Sequence, residues 1–270
     1  MTAAPVLVEV ADGVATVTLN RPGARNAISH ALLTSLRAVM AEVGSDPDVG
    51  AVVLTGADPA FCAGLDLKEL SSDTRLLDSA DPDVPPWSPW KPTTQPLIGA
   101  VNGPAVTGGL ELALNCDFLI ASDRAVFADT HARVGVMPGW GLSVLLPQRV
   151  GFAMARRMSL TGDFVDAPRA LESGLVTEVV PHRELVPAAR RLAATIAGNH
   201  RPAVTALRAS YRRIEGEALA RSLDLEQQAA RDWKRSGRAS GIAERVPGVI
   251  SRGRGQVTSA GAPSRGEDPA

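Results

Sequence analysis

The stretch Ala100-Val-Asn-Gly-Pro-Ala-Val-Thr-Gly-Gly-Leu-Glu-Leu-Ala-Leu-Asn-Cys-Asp117 decides how the rest of the chain is read. Its apolar start, ending at Asn102-Gly103, has the character of a buried strand running into a tight turn. Gly108-Gly109 then opens a periodic helix that carries Glu111 in its first turn. Backbone N–H groups at a helix start have no intrahelical acceptor, so they can hold an anion, and glycine lets a ligand come close. An acid in a first helical turn is common, since it is stabilised by the helix dipole without doing any chemistry. A second turn upstream, Ala60-Phe-Cys-Ala-Gly-Leu-Asp-Leu-Lys68, gives Glu111 more weight, because two such turns can pinch one oxyanion.

Working outward, Val6–Val10 and Val14–Asn20 are β-patterned runs joined by Asp12-Gly13, the signature of a hairpin. Asn26 or Ser29 is placed to cap a helix from about His30 to Val43, with Leu33, Leu36, Val39, Met40 and Val43 on one face. Gly50–Thr55 has the wholly apolar character of a strand buried on both sides. A short helix begins near Leu65, with Asp66 in its first turn. Residues Ser71–Thr94 are polar and proline-rich, which predicts a long mobile loop or lid, and Trp87 and Trp90 there are available to line a pocket or to pack elsewhere.

From Leu97 the pattern recurs: strand Leu97–Val101, helix Gly109–Asn115, strand Asp117–Ala121, a hairpin, and strand Ala125–Ala128. Repeated strand, strand, helix units with buried strands predict an α/β fold of stacked ββα turns, and no Gly-x-Gly-x-x-Gly follows a strand to suggest a dinucleotide site. Helices are expected over Leu142–Val150, Ala153–Leu160, Ala167–Ser173, Arg183–Ala197, Ala203–Arg213 and Glu217–Ser236. Residues 1–200 read as the core with the site, 201–252 as a C-terminal helical region interrupted at Val246-Pro247-Gly248, and 253–270 as a disordered tail.

The 270 residues are 45% hydrophobic and 21% charged with a net charge of -1, which argues against a nucleic-acid or membrane-surface partner. Cys62 and Cys116 read as small buried hydrophobes in a reducing compartment, too few for a metal cluster. The N-terminal residues lack the basic and apolar segments of a signal peptide, and the expected location is the cytoplasm.

These motifs together resemble the enoyl-CoA hydratase/isomerase (crotonase) superfamily, from about Val6 to near Ser251. Asn20-Arg-Pro with Asn26-Ala27 resembles the approach to its first helix. Phe61–Lys68 resembles its first oxyanion turn, Ala100–Glu111 its second, and Val134-Gly-Val-Met-Pro-Gly139 the segment after the active site. The resemblance implies a crotonase-like spiral of ββα units acting on a CoA thioester, with the thioester oxygen held by the amides of Ala63 and Gly108. Negative charge develops on that oxygen in an enolate, which is where preorganised donors act most strongly. It further implies that Arg25, Cys62, Gly64, Leu65, Asp66, Gly109 and Trp140 line the substrate, and that Arg21, Arg25 and Lys68 neighbour the CoA phosphates.

In hydratases of the family Glu111's counterpart activates water, while a second glutamate handles the Cα proton. Counting from Cys116-Asp117, that second position is His131. Imidazole can exchange protons near neutral pH, so His131 is a candidate replacement; it is equally suited to shaping or hydrogen-bonding the substrate. Asp129 lies two positions away, and Asp66 reads as a brace of the first turn. Gly139 stands where some isomerases carry another carboxylate, which counts against the dienoyl-isomerase branch.

The expected reaction is syn hydration of a 2-trans-enoyl-CoA to a 3-hydroxyacyl-CoA in fatty acid metabolism, catalysed by Glu111 and His131 with neither metal nor cofactor beyond the CoA of the substrate. The alternatives are another crotonase-type reaction using Glu111 alone (isomerisation, decarboxylation or thioester hydrolysis) or a non-catalytic acyl-CoA-binding homologue. The resemblance also implies a homotrimer, or a dimer of such trimers, built through the C-terminal helices.

Overall fold

The computed structural model describes residues 4–72, 84–237 and 241–260. Two opening strands, β1 (Val6–Ala11) and β2 (Val14–Leu19), form the antiparallel hairpin that Asp12-Gly13 foretells, with both turn residues at positive φ. The helix α1 (His30–Ser45) begins at Ser29, whose hydroxyl accepts from Leu32 N at 3.1 Å, so Ser29 and not Asn26 is the cap. Strands β3 (Ala51–Gly56), β4 (Leu97–Val101), β6 (Phe118–Ser122) and β9 (Glu178–Val180) add in parallel to give a six-stranded sheet in the order β1-β2-β3-β4-β6-β9. A smaller sheet has the order β5 (Ala105–Val106), β7 (Val126–Ala128), β8 (Val165–Asp166).

Burial on both faces explains the apolar runs. Val52 and Leu54 of β3 enter one core with Leu36 and Met40 of α1, while Ala51 and Val53 enter a second core with Leu185, Ala188, Ala189 and Ala193 of α7 (Leu185–Ala197). Alternate residues point to opposite faces of a strand, so a doubly covered strand has no polar face to display.

Several expectations are corrected. Strands β6 and β7 do not form a hairpin: β6 pairs with β4 and β9, whereas β7 crosses to β5 and β8. That switch carries residues 129–131 to the start of α3 (Gly108–Leu114) instead of returning them along the main sheet.

The two helices expected between Ala203 and Ser236 are one, α8 (Arg201–Arg235), with Gly216 inside it. An internal glycine costs only about 1 kcal/mol, which long-range ties along the helix offset.

The last helix, α9 (Ile242–Ala260), also runs through Pro247 and includes residues 253–260, for which the composition predicts disorder. Val246 and Val249 pack against Leu70, Val134 and Val136, and this burial opposes the proline's lost hydrogen bond. The rest of the expected tail, 261–270, lies outside the described residues, as does 73–83 of the expected lid. Residues 84–94 are packed and not a free loop. Trp90 is a member of the main core, Trp87 is half-buried, and Pro89 O accepts from Arg37 Nε at 2.9 Å. Helix α5 (Leu142–Thr161) bends at Gly151, which has non-helical φ/ψ, matching the two segments read from the sequence.

Candidate active site

Three loops lie side by side and build the site. The buried Asn26, in left-handed conformation, donates to Ala57 O at 2.8 Å and Ala60 O at 2.7 Å, fixing the first loop on the second. Ile28 then bridges Leu65, through Ile28 N to Gly64 O at 2.8 Å and Asp66 N to Ile28 O at 2.9 Å. The second loop bridges the third at Cys62 and Ala105, with Cys62 N on Pro104 O at 3.0 Å and Val106 N on Cys62 O at 2.9 Å.

These bridges decide which amides remain open. The groups either side of Leu65 are spent on Ile28, so the Leu65 N–H faces away from that partner, toward Gly108. A Cβ placed on Gly108 would lie 3.7 Å from Leu65 N, and one placed on Gly64 would lie 3.6 Å from Gly108 N. Neither amide has an acceptor among the described residues. The expectation for Ala63 is corrected: its N–H donates to Arg25 O at 3.0 Å and is not available to a ligand. Gly64 has φ +89°, and a Cβ on Gly109 would come within 2.1 Å of Cys62 O, so both positions need glycine for the loops to close. Thr107, immediately before α3, is held at φ 54° by its N–H to Ala128 O at 2.8 Å and its hydroxyl on that of Thr130. Positive φ at a branched residue marks stored strain of the sort found at functional sites.

Glu111 is 3% exposed on the first turn of α3. Its Oε1 accepts from Gly139 N at 3.0 Å and Trp140 N at 2.7 Å, which leaves Oε2 directed at His131 Nε2, 3.5 Å away. His131 opens the short helix α4 (His131–Val134), and its Nδ1 lies 2.6 Å from Asp129 Oδ1, which also accepts from the His131 backbone N–H at 3.1 Å. Burial of the ring works against its cation, but the hydrogen bonds and charges of Asp129 and Glu111 outweigh this and lift the His131 pKa to about 10. Burial likewise tends to raise the Asp129 pKa, yet the bond to His131, its charge and the Ser159 hydroxyl hold it below the ordinary carboxylate value. At neutral pH the ring is therefore an imidazolium bonded to the ionised Asp129, with its other nitrogen facing Glu111.

The remaining residues singled out in the sequence serve in other ways. Asp66 accepts from Lys68 N at 3.2 Å at the start of α2 (Leu67–Ser72) and pairs with Arg21 Nη2 at 3.1 Å, so it braces the first turn. Arg21 is thereby committed to the protein, while Arg25 and Lys68 are exposed. The Trp140 side chain belongs to the main core, and it is the Trp140 backbone N–H that reaches the site. Cys62 is buried, which pushes its thiol up to about 12, and Cys116 is buried too; both are free. No group of three or more His, Cys, Asp or Glu side chains suited to a metal occurs among the described residues. Leu65, read from the sequence as a substrate neighbour, offers an amide that the motif alone misplaced by two residues. The signal that finds it is the bridge to Ile28, a long-range pairing.

A carboxylate clamped beside two open amides, on a crotonase-like spiral, places the protein among the crotonase-type folds. The chain belongs to the enoyl-CoA hydratase/isomerase family, whose model matches residues 9–243. It is 37% identical over 253 residues to a probable enoyl-CoA hydratase of Mycobacterium leprae, covering 92% of this chain and 98% of that one. It is 41% identical over 199 residues to the (E)-benzylidenesuccinyl-CoA hydratase of Thauera aromatica, covering 72% and 76%. Among solved structures, the enoyl-CoA hydratase of Mycobacterium smegmatis matches with a TM-score of 0.79 and 54% identity, covering 87% of this chain and all of that one.

Proposed function

We propose that the protein hydrates 2-trans-enoyl-CoA thioesters to 3-hydroxyacyl-CoA. The observation that carries this reading is Glu111, with one carboxylate oxygen pinned by two backbone amides and the other aimed at His131, on the helix whose first amide adjoins that of Leu65. The Leu65 and Gly108 N–H groups are the donors for the thioester oxygen. Their hydrogen bonds strengthen as that oxygen becomes an enolate, and a donor of this kind can lower the barrier by about 3 kcal/mol. Glu111 takes a proton from the attacking water as its oxygen bonds to Cβ. The imidazolium of His131 delivers a proton to Cα as the enolate collapses, and Asp129 steadies the ring and its tautomer. Transfer of the proton from Glu111 to His131 over the 3.5 Å between them restores the starting state.

This chemistry draws on side chains and peptide groups and needs no metal or redox cofactor. Helix α8, in the C-terminal region, exposes Leu207, Tyr211 and Ile214, which supports a homotrimer or a pair of trimers built through that region, readable by light scattering. No helix among the described residues is long and apolar enough to cross a membrane. A cytoplasmic place in fatty acid metabolism fits the reaction and is tested by fractionation.

The deciding experiment incubates the protein with crotonyl-CoA and with longer, branched and carboxylated enoyl thioesters, following mass gain of one water. Hydration of at least one, lost in Glu111→Gln, is the expected result. Failure of every enoyl thioester to gain water, with acyl-CoA binding intact, overturns the hydratase reading in favour of a binding protein.

A further inference from the structure

Outside the three-loop site, α8 sends one carboxylate into the protein interior. Glu226 is 6% exposed on a helix that is otherwise mostly solvated, and its two oxygens are both engaged by a single short segment. Oε1 accepts from Gly141 N at 2.7 Å and Oε2 from Ser143 N at 2.6 Å. The neighbouring Gln227 donates from Nε2 to Gly139 O at 2.5 Å, and about two helical turns beyond Glu226 the Trp233 indole N–H reaches Gly135 O at 2.9 Å. The segment from Gly135 to Ser143 is thus strapped to one face of α8 at three places.

The same segment holds Glu111. Its amides at 139 and 140 go to Glu111 Oε1, and its next available amides, at 141 and 143, go to Glu226. Two carboxylates from elements far apart in sequence therefore grip one turn from opposite ends.

We infer that Glu226 is a positioning residue for the reaction, holding the 139–143 turn so that the Gly139 and Trp140 amides stay aimed at Glu111.

Two physical arguments support this. First, a carboxylate accepting two charge-assisted bonds near 2.6–2.7 Å in a buried setting fixes the amides' direction more firmly than a neutral acceptor. Second, the placement is electrostatically costly: burial, and then the charge of Glu111, raise the pKa of Glu226 above the ordinary carboxylate value. A helix cap alone has a cheaper solution in serine or asparagine, which carry no charge.

The inference rests on the hydratase reading for its effect on rate, and on the hydrogen-bond geometry alone for its effect on the turn, so the two are tested separately. In Glu226→Gln one acceptor oxygen is lost and an N–H is set against an N–H. The backbone amide proton resonances of Gly139 and Trp140, displaced downfield by the Glu111 carboxylate, should move upfield in this variant, whether or not the protein turns over any substrate. With crotonyl-CoA as probe, kcat should fall about 10- to 100-fold, the scale expected of a small misplacement of a catalytic group, while KM stays within about twofold. Glu226→Leu, which removes both acceptors, should lose more. Should Glu226→Leu not fold, Gln227→Met, which releases only the Gly139 carbonyl, should show the same split in milder form. Unmoved Gly139 and Trp140 resonances in Glu226→Gln, or moved resonances with kcat unchanged, would overturn the inference. Absence of hydration by the wild type counts against the proposed function and leaves the resonance test of the turn in force.

Discussion

Asp129 Oδ1 lies 2.6 Å from His131 Nδ1, while the other ring nitrogen faces Glu111 at 3.5 Å, so one imidazole is bonded by one carboxylate and pointed at a second. The His131 pKa, lifted to about 10, stands above its unfolded value near 6.5. The sign follows: the proton is bound more tightly in the folded protein, and the stability this contributes is fully present below pH 6.5 and lost as pH rises through 10. A reaction that needs the imidazolium should keep its rate through neutral pH and decline only as pH approaches 10. Asp129→Asn leaves burial opposed by Glu111 alone, so the basic limb of kcat/KM against pH should move down toward neutrality. A limb that stays in place would show that His131 is not the group titrating.

Removal of the Glu111 carboxylate tests the other end of the line. Glu111→Gln keeps the shape, and its single amide oxygen in the Oε1 place can still accept from both Gly139 N and Trp140 N, but it has no base to offer water. Loss of a general base costs typically 10²- to 10⁴-fold, and kcat should fall within that range. Binding of saturated butyryl-CoA, measured calorimetrically, should change by no more than a few-fold, since that ligand does not need a base.

Much of this was legible in the residues, and the boundary is instructive. Turn and cap chemistry placed the β1–β2 hairpin and the start of α1, because Asp12-Gly13 and Ser29 act on neighbours a few residues away. The family resemblance, counted from Cys116-Asp117, singles out His131 as the counterpart of the second glutamate, but it does not reveal the charge state, which depends on Asp129, Glu111 and burial together. The motif points to Ala63 and not Leu65 because a motif names residues, whereas the open amide is whichever one Ile28 and Arg25 leave unpaired. The hairpin expected after β6 failed for the same reason: local turn signals are silent on which sheet the next strand joins. Glu226 carries no motif, and its sign in the sequence is only a charge three residues after Leu223, on the same face of α8.

Arg208 and Asp117 tie α8 to the main sheet. The guanidinium Nε lies 2.7 Å from Asp117 Oδ2, which also accepts from Leu97 N at 2.7 Å, and Nη1 reaches Thr93 O. Arg208→Met leaves a carboxylate with one of its partners gone. Full burial would make that loss worth 3–5 kcal/mol, but the Asp117 side chain is 25% exposed and water can take up part of the charge. The expected destabilisation is about 2 kcal/mol, read from urea unfolding at neutral pH. A change below about 0.5 kcal/mol would place the pair with ordinary surface ion pairs.

Gly108 and Gly109 are adjacent in sequence, yet adding a methyl group should affect them through different physics. At Gly109 the new carbon would meet the Cys62 carbonyl at 2.1 Å, a backbone atom that cannot yield without breaking the bridge between the second and third loops. Gly109→Ala should therefore fail at the level of folding, with little soluble protein or a loss of several kcal/mol. At Gly108 the nearest atom is the tip of the Ile28 side chain at 3.2 Å, which can turn aside, and the next is Leu65 N at 3.7 Å. Gly108→Ala should fold with near-normal stability while placing a methyl group where the thioester oxygen meets the two amides. Losing one such donor costs about 10²- to 10³-fold in kcat, and a comparable loss is expected here, with the thermal midpoint close to wild type. Normal turnover by Gly108→Ala would mean that the oxygen does not sit between Leu65 and Gly108, and the donors would have to be sought elsewhere.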